Sequence, residues 1–162
     1  MITDIKFYDI SRIKKLKRRS DTVVISVLDV SELAARPKLG GFGGVLCLQF
    51  EDTYEEGKLA SPGSWPDNPT AEEHVTLAQG KGERVPTLDD ANRIVGFLRE
   101  QHAKNQPLKL AVHCYGGISR SAAIAQWAAL YFWVPLTVLP HQSLDYANPR
   151  VTRLLDKAVN RK

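Results

Sequence analysis

Cysteine is nearly missing from this chain: Cys47 and Cys114 are its only two among 162 residues. Two thiols so far apart make neither a disulfide framework nor a zinc site, and a reducing compartment suits them better. Long apolar runs are missing too. The longest, Ala122 to Leu136, is broken by Gln126 and Pro135 and is too short to span a bilayer. The opening Met1-Ile2-Thr3-Asp4-Ile5 lacks the charged-then-apolar pattern of a signal sequence. A soluble, cytoplasmic protein with no membrane span is expected. No internal repeat and no low-complexity stretch occurs. What is present, 43% apolar residues, suffices for one domain over residues 1–162 with a real core.

Charge is modest at +4, and much of it comes from Arg12, Lys14, Lys15, Lys17, Arg18 and Arg19. Such a run attracts acidic ligands, but few aromatics interleave with it. Ile13 and Leu16, three apart, would anchor the opposite side, so the cluster reads as a solvated helix face and no nucleic-acid partner is expected.

Along the chain, Ile2 to Tyr8 reads as a strand, with Asp9 or Ser11 capping a basic helix that ends near Arg19. Thr22 to Leu28 is β-branched and strand-like, and Ser31 offers a cap for a short helix before Pro37. Val45 to Phe50 reads as another buried strand, in which Cys47 is a small apolar residue. From Glu51 to Pro86 the chain turns polar and rich in Gly and Pro, a long surface excursion with a helical hint at Thr70 to Ala78. Thr87 begins a helix with Asp90 as capping-box partner. Leu108 to Val112 is a short buried strand, and Ser121 to Phe132 is a helix apolar nearly all round, with Trp127, Tyr131 and Trp133 as core packing. Asn148 caps a last helix whose stripe is Val151, Leu154, Leu155 and Ala158.

Between that strand and the apolar helix lies His113-Cys114-Tyr115-Gly116-Gly117-Ile118-Ser119-Arg120-Ser121. Glycines let the backbone curl until successive N–H groups point inward, and the following helix adds its positive end, so the turn should cradle an anion. The same groups stabilise a thiolate, which makes Cys114 a nucleophile. Arg120 stands at the far lip, where its planar fork holds two oxygens of a phosphoryl group. Ser121 would give its hydroxyl to the sulfur, and His113 would brace the loop through backbone.

Cys114 and Arg120 with five residues between them, preceded by His113 and followed by Ser121, resemble the H-C-x5-R-S/T signature of cysteine-based protein tyrosine phosphatases, with Gly117 at its usual inner glycine. The segment arrangement is similar to compact dual-specificity-like and bacterial predicted tyrosine phosphatases. The resemblance implies an α/β fold, with a mostly parallel sheet of four to five strands flanked by helices. It also implies a phosphocysteine intermediate, no metal or cofactor, and an aspartate as general acid. Phosphotyrosine in proteins or peptides is then the leading substrate, with phosphoserine or phosphothreonine if the pocket is shallow. Tyr115, Gly116, Gly117, Ile118 and Ser119 form the phosphate-binding loop. The absence of basic residues among Tyr115, Ile118 and Ser119 argues against highly charged inositol phosphates.

Two residues compete as general acid. Asp67 sits in Trp65-Pro66-Asp67, the tripeptide of the mobile acid loop of tyrosine phosphatases, but between Ser61-Pro62-Gly63-Ser64 and Asn68-Pro69, far from any strand. Asp52 ends the strand Val45 to Phe50, which should lie beside the one delivering Cys114, and ligands of open α/β sheets bind at strand carboxyl ends. Asp52 is therefore the expected acid and Asp67 the alternative. Rival functions are a phosphopeptide-binding module without turnover, a sulfurtransferase, and an arsenate reductase. The last would want more thiols than Cys47 supplies.

Overall fold

The computed structural model describes residues 1–55, 65–80 and 84–160. It is a single α/β domain around a five-stranded sheet in the order β3-β2-β4-β1-β5, in which every pairing is parallel. The strands are β1 (Ile2–Tyr8), β2 (Thr22–Leu28), β3 (Gly44–Gln49), β4 (Leu108–His113) and β5 (Leu136–Thr137). The helices are α1 (Ile10–Lys15), α2 (Ala71–Leu77), α3 (Leu88–His102), α4 (Arg120–Phe132) and α5 (Pro149–Asn160), with one 3-10 turn at Leu33–Ala35. Parallel neighbours need a crossover each time, which is why strands and helices alternate along the chain.

One face of the sheet carries the main core. Ile5, Phe7, Val23, Leu110 and Val112 pack there against α3, α4 and α5. Alpha3 starts with both capping-box bonds, Thr87 Oγ1 taking the Asp90 N–H and the Asp90 carboxylate taking the Thr87 N–H. Ala122, Ala123, Ala125 and Ala128 are all fully buried, so α4 sits close to the sheet behind the β4 turn. The second face is covered more sparingly, by α1 and the 33–43 segment over Val24, Leu28 and Ala111.

Several expectations require correction. Beta3 does not lie beside β4; it is the sheet's edge, and β2 separates the two. An apolar run does not reveal how many neighbours its strand will have. As an edge strand, β3 leaves Val45 and Cys47 exposed rather than buried. Cys47 is in register with Ser26, and Ser26 with His113. At about 4.8 Å per strand this puts Cys47 roughly 10 Å from the end of β4, beyond disulfide reach without backbone movement.

Helix α1 stops at Lys15, four residues early, because Arg18 folds back onto the Lys14 and Leu16 carbonyls at 2.9 and 2.6 Å. Asp9 is its cap. Trp133 is not core: it ends α4 in the left-handed region (φ 56°) and is 93% exposed. The 51–86 stretch is not only a surface excursion. Trp65, Leu77 and Val85 form a small buried cluster of their own, and α2 carries a complete Thr70/Glu73 capping box. Ser61 to Ser64 lie outside the described residues.

Candidate active site

The carboxyl ends of β1, β2 and β4 converge on the turn from His113 to Ser121. Gly117 shapes it. Its φ is 64°, and a Cβ there would stand 2.5 Å from the Asp9 nitrogen and 2.8 Å from the Tyr8 carbonyl carbon, so both conformation and space demand glycine. Gly116 is different, since a Cβ there would meet only the Ile118 side chain at 3.7 Å. The turn is laid against the end of β1 by the Ile10 N–H to the Tyr115 carbonyl at 3.0 Å and a longer contact from the Cys114 N–H to the Tyr8 carbonyl.

Cys114 is 2% exposed at the bottom of the turn. Its Sγ accepts the Gly117 N–H at 3.3 Å and lies 3.1 Å from Ser121 Oγ, itself fully buried. The sulfur thus meets the Gly117 amide of the loop and the Ser121 hydroxyl. His113 is fully buried, with Nδ1 against the Cys114 carbonyl at 3.2 Å and no partner for Nε2 among the described residues. Burial pushes its pKa down to about 4, with the Arg36 and Arg120 cations acting in the same direction and the carbonyl bond opposing. The ring is neutral at physiological pH.

Arg120 opens α4, yet its guanidinium turns back beneath the loop and is almost wholly buried. Nη1 donates to Glu32 Oε1 and to the Phe50 carbonyl, both at 3.0 Å, and Nη2 reaches Glu32 Oε2 at 3.4 Å. Nε has no acceptor among the described residues. Burial works against its charge, but the fields of Cys114, Glu32 and Asp52 together outweigh it and raise its pKa. Glu32 was not singled out in the sequence. It comes from the turn after β2, where Asp29 Oδ1 collects the Ser31 and Glu32 N–H groups. An acidic residue just past a strand's carboxyl end was the available signal.

Asp52 lies against the loop. Its Oδ1 accepts from Ser119 Oγ at 2.6 Å and from Asn148 Nδ2 at 2.7 Å, and Oδ2 has no partner among the described residues. Asn148 does more than cap α5. Its Oδ1 takes the Val151 N–H, while its Nδ2 also reaches the Thr53 carbonyl at 3.0 Å. Tyr54, likewise unforeseen, sets its hydroxyl 2.7 Å from Ser119 Oγ and 3.0 Å from the Tyr146 carbonyl. Ser119 makes no side-chain cap for α4, because its hydroxyl is committed to these contacts. Tyr115, Ile118 and Tyr146 stand about half-exposed or more at the rim. Beside them opens a cleft of about 260 Å³ lined by Asp9, Gly116, Gly117 and His141 among others.

Asp67 is elsewhere, paired with Arg153 at 3.1 Å and with Lys157 on α5. Partial burial opposes its charge, but the hydrogen bonds from those two cations win and hold the carboxyl below its ordinary range. The neighbouring backbone is pinned by Arg150, which is buried and donates to the Pro66 and Pro86 carbonyls at 3.0 and 2.9 Å and to Glu55 at 2.6 Å. Asp90 is committed to its helix cap and to Arg84.

No family model, curated protein or solved structure matches the chain. The parallel α/β architecture is compatible with a phosphatase-like fold, but many unrelated activities share it, so function must be argued from the site.

Proposed function

We propose that this protein is a cysteine-dependent phosphatase that hydrolyses phosphomonoesters, with protein phosphotyrosine as leading substrate and phosphoserine or phosphothreonine as further ones. The observation that carries the reading is the pairing of two groups. Cys114 Sγ lies under the Gly117 N–H, and the Arg120 guanidinium is anchored at its terminal nitrogens by Glu32 and Phe50 while a buried Nε has no acceptor among the described residues. A desolvated cationic donor without a partner is costly unless an anion completes it.

In the first step the Cys114 thiolate attacks phosphorus, an S–P bond forms and the ester P–O bond breaks. Asp52 transfers its proton to the departing oxygen. With two donors on Oδ1, the transferable proton belongs on Oδ2. In the second step Asp52 takes a proton from water, the water oxygen attacks phosphorus, and the S–P bond breaks to return thiolate, to which Ser121 donates its hydroxyl. Loop amides and Arg120 stabilise the charge spread over the three equatorial oxygens in both steps, and preorganisation of this kind is ordinarily the largest contribution. His113 braces the loop.

The test is turnover of para-nitrophenyl phosphate. The expected result is release of phosphate that vanadate blocks and Cys114→Ser abolishes. Absence of turnover with retained tungstate or phosphopeptide binding would instead make the protein a binding module. Turnover that survives in Cys114→Ser would overturn the nucleophile.

A further inference from the structure

Beta1 and β4 differ sharply between their two faces. Ile5, Phe7, Leu110 and Val112 are buried under the helices, whereas Asp4, Lys6, Tyr8 and Lys109 point to the other side. Parallel sheets are ordinarily covered on both faces. Here α1 is six residues long, and its buried Ile10 and Ile13 pack with Val24, Leu28 and Ala111, over β2 and β4. Beside this short cover runs a groove of about 120 Å³, with Leu16 and Thr22 on its wall.

The groove is cationic. Lys6, Lys17, Arg19 and Lys109 line it against a single lining carboxylate, Asp4. Among the described residues only Arg19 of these four has an ion pair, with Asp21, and Asp4 accepts a hydrogen bond from Thr137. None of the three lysines has an ion pair among the described residues; Asp4, in register with Lys109, and Asp21, which feels the Lys109 charge, offset only part of the four cations, so the groove stays net positive.

We propose that this groove docks an acidic peptide segment of a protein partner. Charge complementarity names the occupant: carboxylates would meet Lys6, Lys17 and Lys109. A nucleic-acid backbone fits less well, because a continuous row of phosphates would run over Asp4. A peptide instead places carboxylates at intervals and offers N–H groups between them, one of which Asp4 can accept. Tyr115, Ile118 and Tyr146, the half-exposed aromatic and apolar side chains near the loop, are not part of this surface. The groove would thus hold a partner by a second point, and its occupancy does not depend on whether Cys114 turns over phosphate.

The experiment is fluorescence anisotropy of a labelled glutamate-rich peptide with the full chain, titrated at low salt and at about 0.15 M, where screening is strong beyond roughly 8 Å. Wild type should bind, and more weakly as salt rises. Lys6→Ser/Lys17→Ser/Lys109→Ser should weaken binding about tenfold, as expected for three exposed ion pairs. Lys14→Ser/Lys15→Ser, which removes two α1 lysines that do not line the groove, should change it less than about twofold. Lys109→Ser alone, at an exposed position, should give a partial loss and guards against misfolding of the triple variant. Equal losses in the groove and control variants would mean diffuse charge and overturn the proposal. So would failure of the wild type to bind, or tighter binding of a single-stranded oligonucleotide of equal charge.

Discussion

The turn from His113 to Ser121 and the acidic segment after β3, described over 51–55 and 65–67, are built in opposite ways. The turn is largely local: nine consecutive residues supply the sulfur, the Gly117 amide on it and the guanidinium, while Glu32, the Phe50 carbonyl and the end of β1 brace them from elsewhere. The segment is assembled at long range. Asp52 is held by Ser119 and Asn148, Glu51 by the Gln79 and Gly80 N–H groups, and Glu55 by Arg150. A function written into a short loop can be read from its letters; one written into tertiary contacts cannot.

The sharpest way to break this comparison is to exchange its two carboxylates. Asp52→Asn should lower kcat on an aryl phosphate by about 10²–10⁴-fold, the usual worth of a positioned general acid. Asp67→Asn should leave it within about twofold, because that group does not touch the loop and general acid–base terms require contact with the reacting atoms. The effect should shrink for para-nitrophenyl phosphate, whose leaving group needs little protonation, and grow for phosphotyrosine. A loss confined to Asp67→Asn would reverse the assignment.

Next in size is the local half. Gly117→Ala must hold a side chain at φ 64° and push against the Tyr8–Asp9 backbone. Adding the left-handed penalty of about 1–2 kcal/mol to an overpacking cost of about 1–3 kcal/mol gives a loss of about 2–5 kcal/mol. Gly116→Ala should cost under about 1 kcal/mol, since the added methyl meets only Ile118 at ordinary contact distance. Urea unfolding of both variants measures the difference. Equal losses would show that the turn is not held by β1 as described.

The same contrast explains what was legible. Cys114, Arg120, Ser121 and Gly117 stand at fixed spacing in one segment, and a strand followed by an alanine-rich helix is a local pattern. The capping boxes of α2 and α3 and the buried stripe of α5 are local as well. The place of Asp52 against the loop was anticipated from its position at a strand end, although the strand proved to be at the edge and not beside β4. Glu32 was missed because its partner lies 88 residues away. Arg150 was missed because arginine in a helix's first turn ordinarily faces water, whereas this one is buried by three acceptors from distant segments. The docking of Trp65-Pro66-Asp67 on α5 was illegible for the same reason: a tripeptide does not state what it will be docked against.

His113 tests how tightly the local half is sealed. Its pKa falls from 6.5 in the unfolded chain to about 4 in the native state, so between these values the unfolded chain binds more protons. Stability is then complete above pH 6.5 and declines as pH falls toward 4. By linkage the decline between pH 7 and pH 5 should be about 2 kcal/mol from this group. Asp67, Asp9 and Asp21, all with lowered values, lose their contributions at lower pH and barely disturb this window. His74 and His102, whose values burial also lowers, add to the same decline, so His113→Asn should reduce the slope without abolishing it. An unchanged slope would mean the ring is not sealed from water.

The smallest effect belongs to the long-range half. Lys157 is about half-exposed, so Lys157→Ala should cost only about 0.5 kcal/mol at neutral pH, as for other solvent-screened pairs. Asp67 keeps Arg153, and its lowered pKa means that the pair contributes above the ordinary carboxylate value of 3.8 and fades as pH falls below it. Wild type and variant should therefore converge in acid, with aryl phosphate turnover unchanged at every pH where both are folded. A difference that persisted in acid would show that the Lys157 stem, rather than its charge, holds the tripeptide on α5. A fall in turnover would join Asp67 to the chemistry and erase the distinction between the two carboxylates.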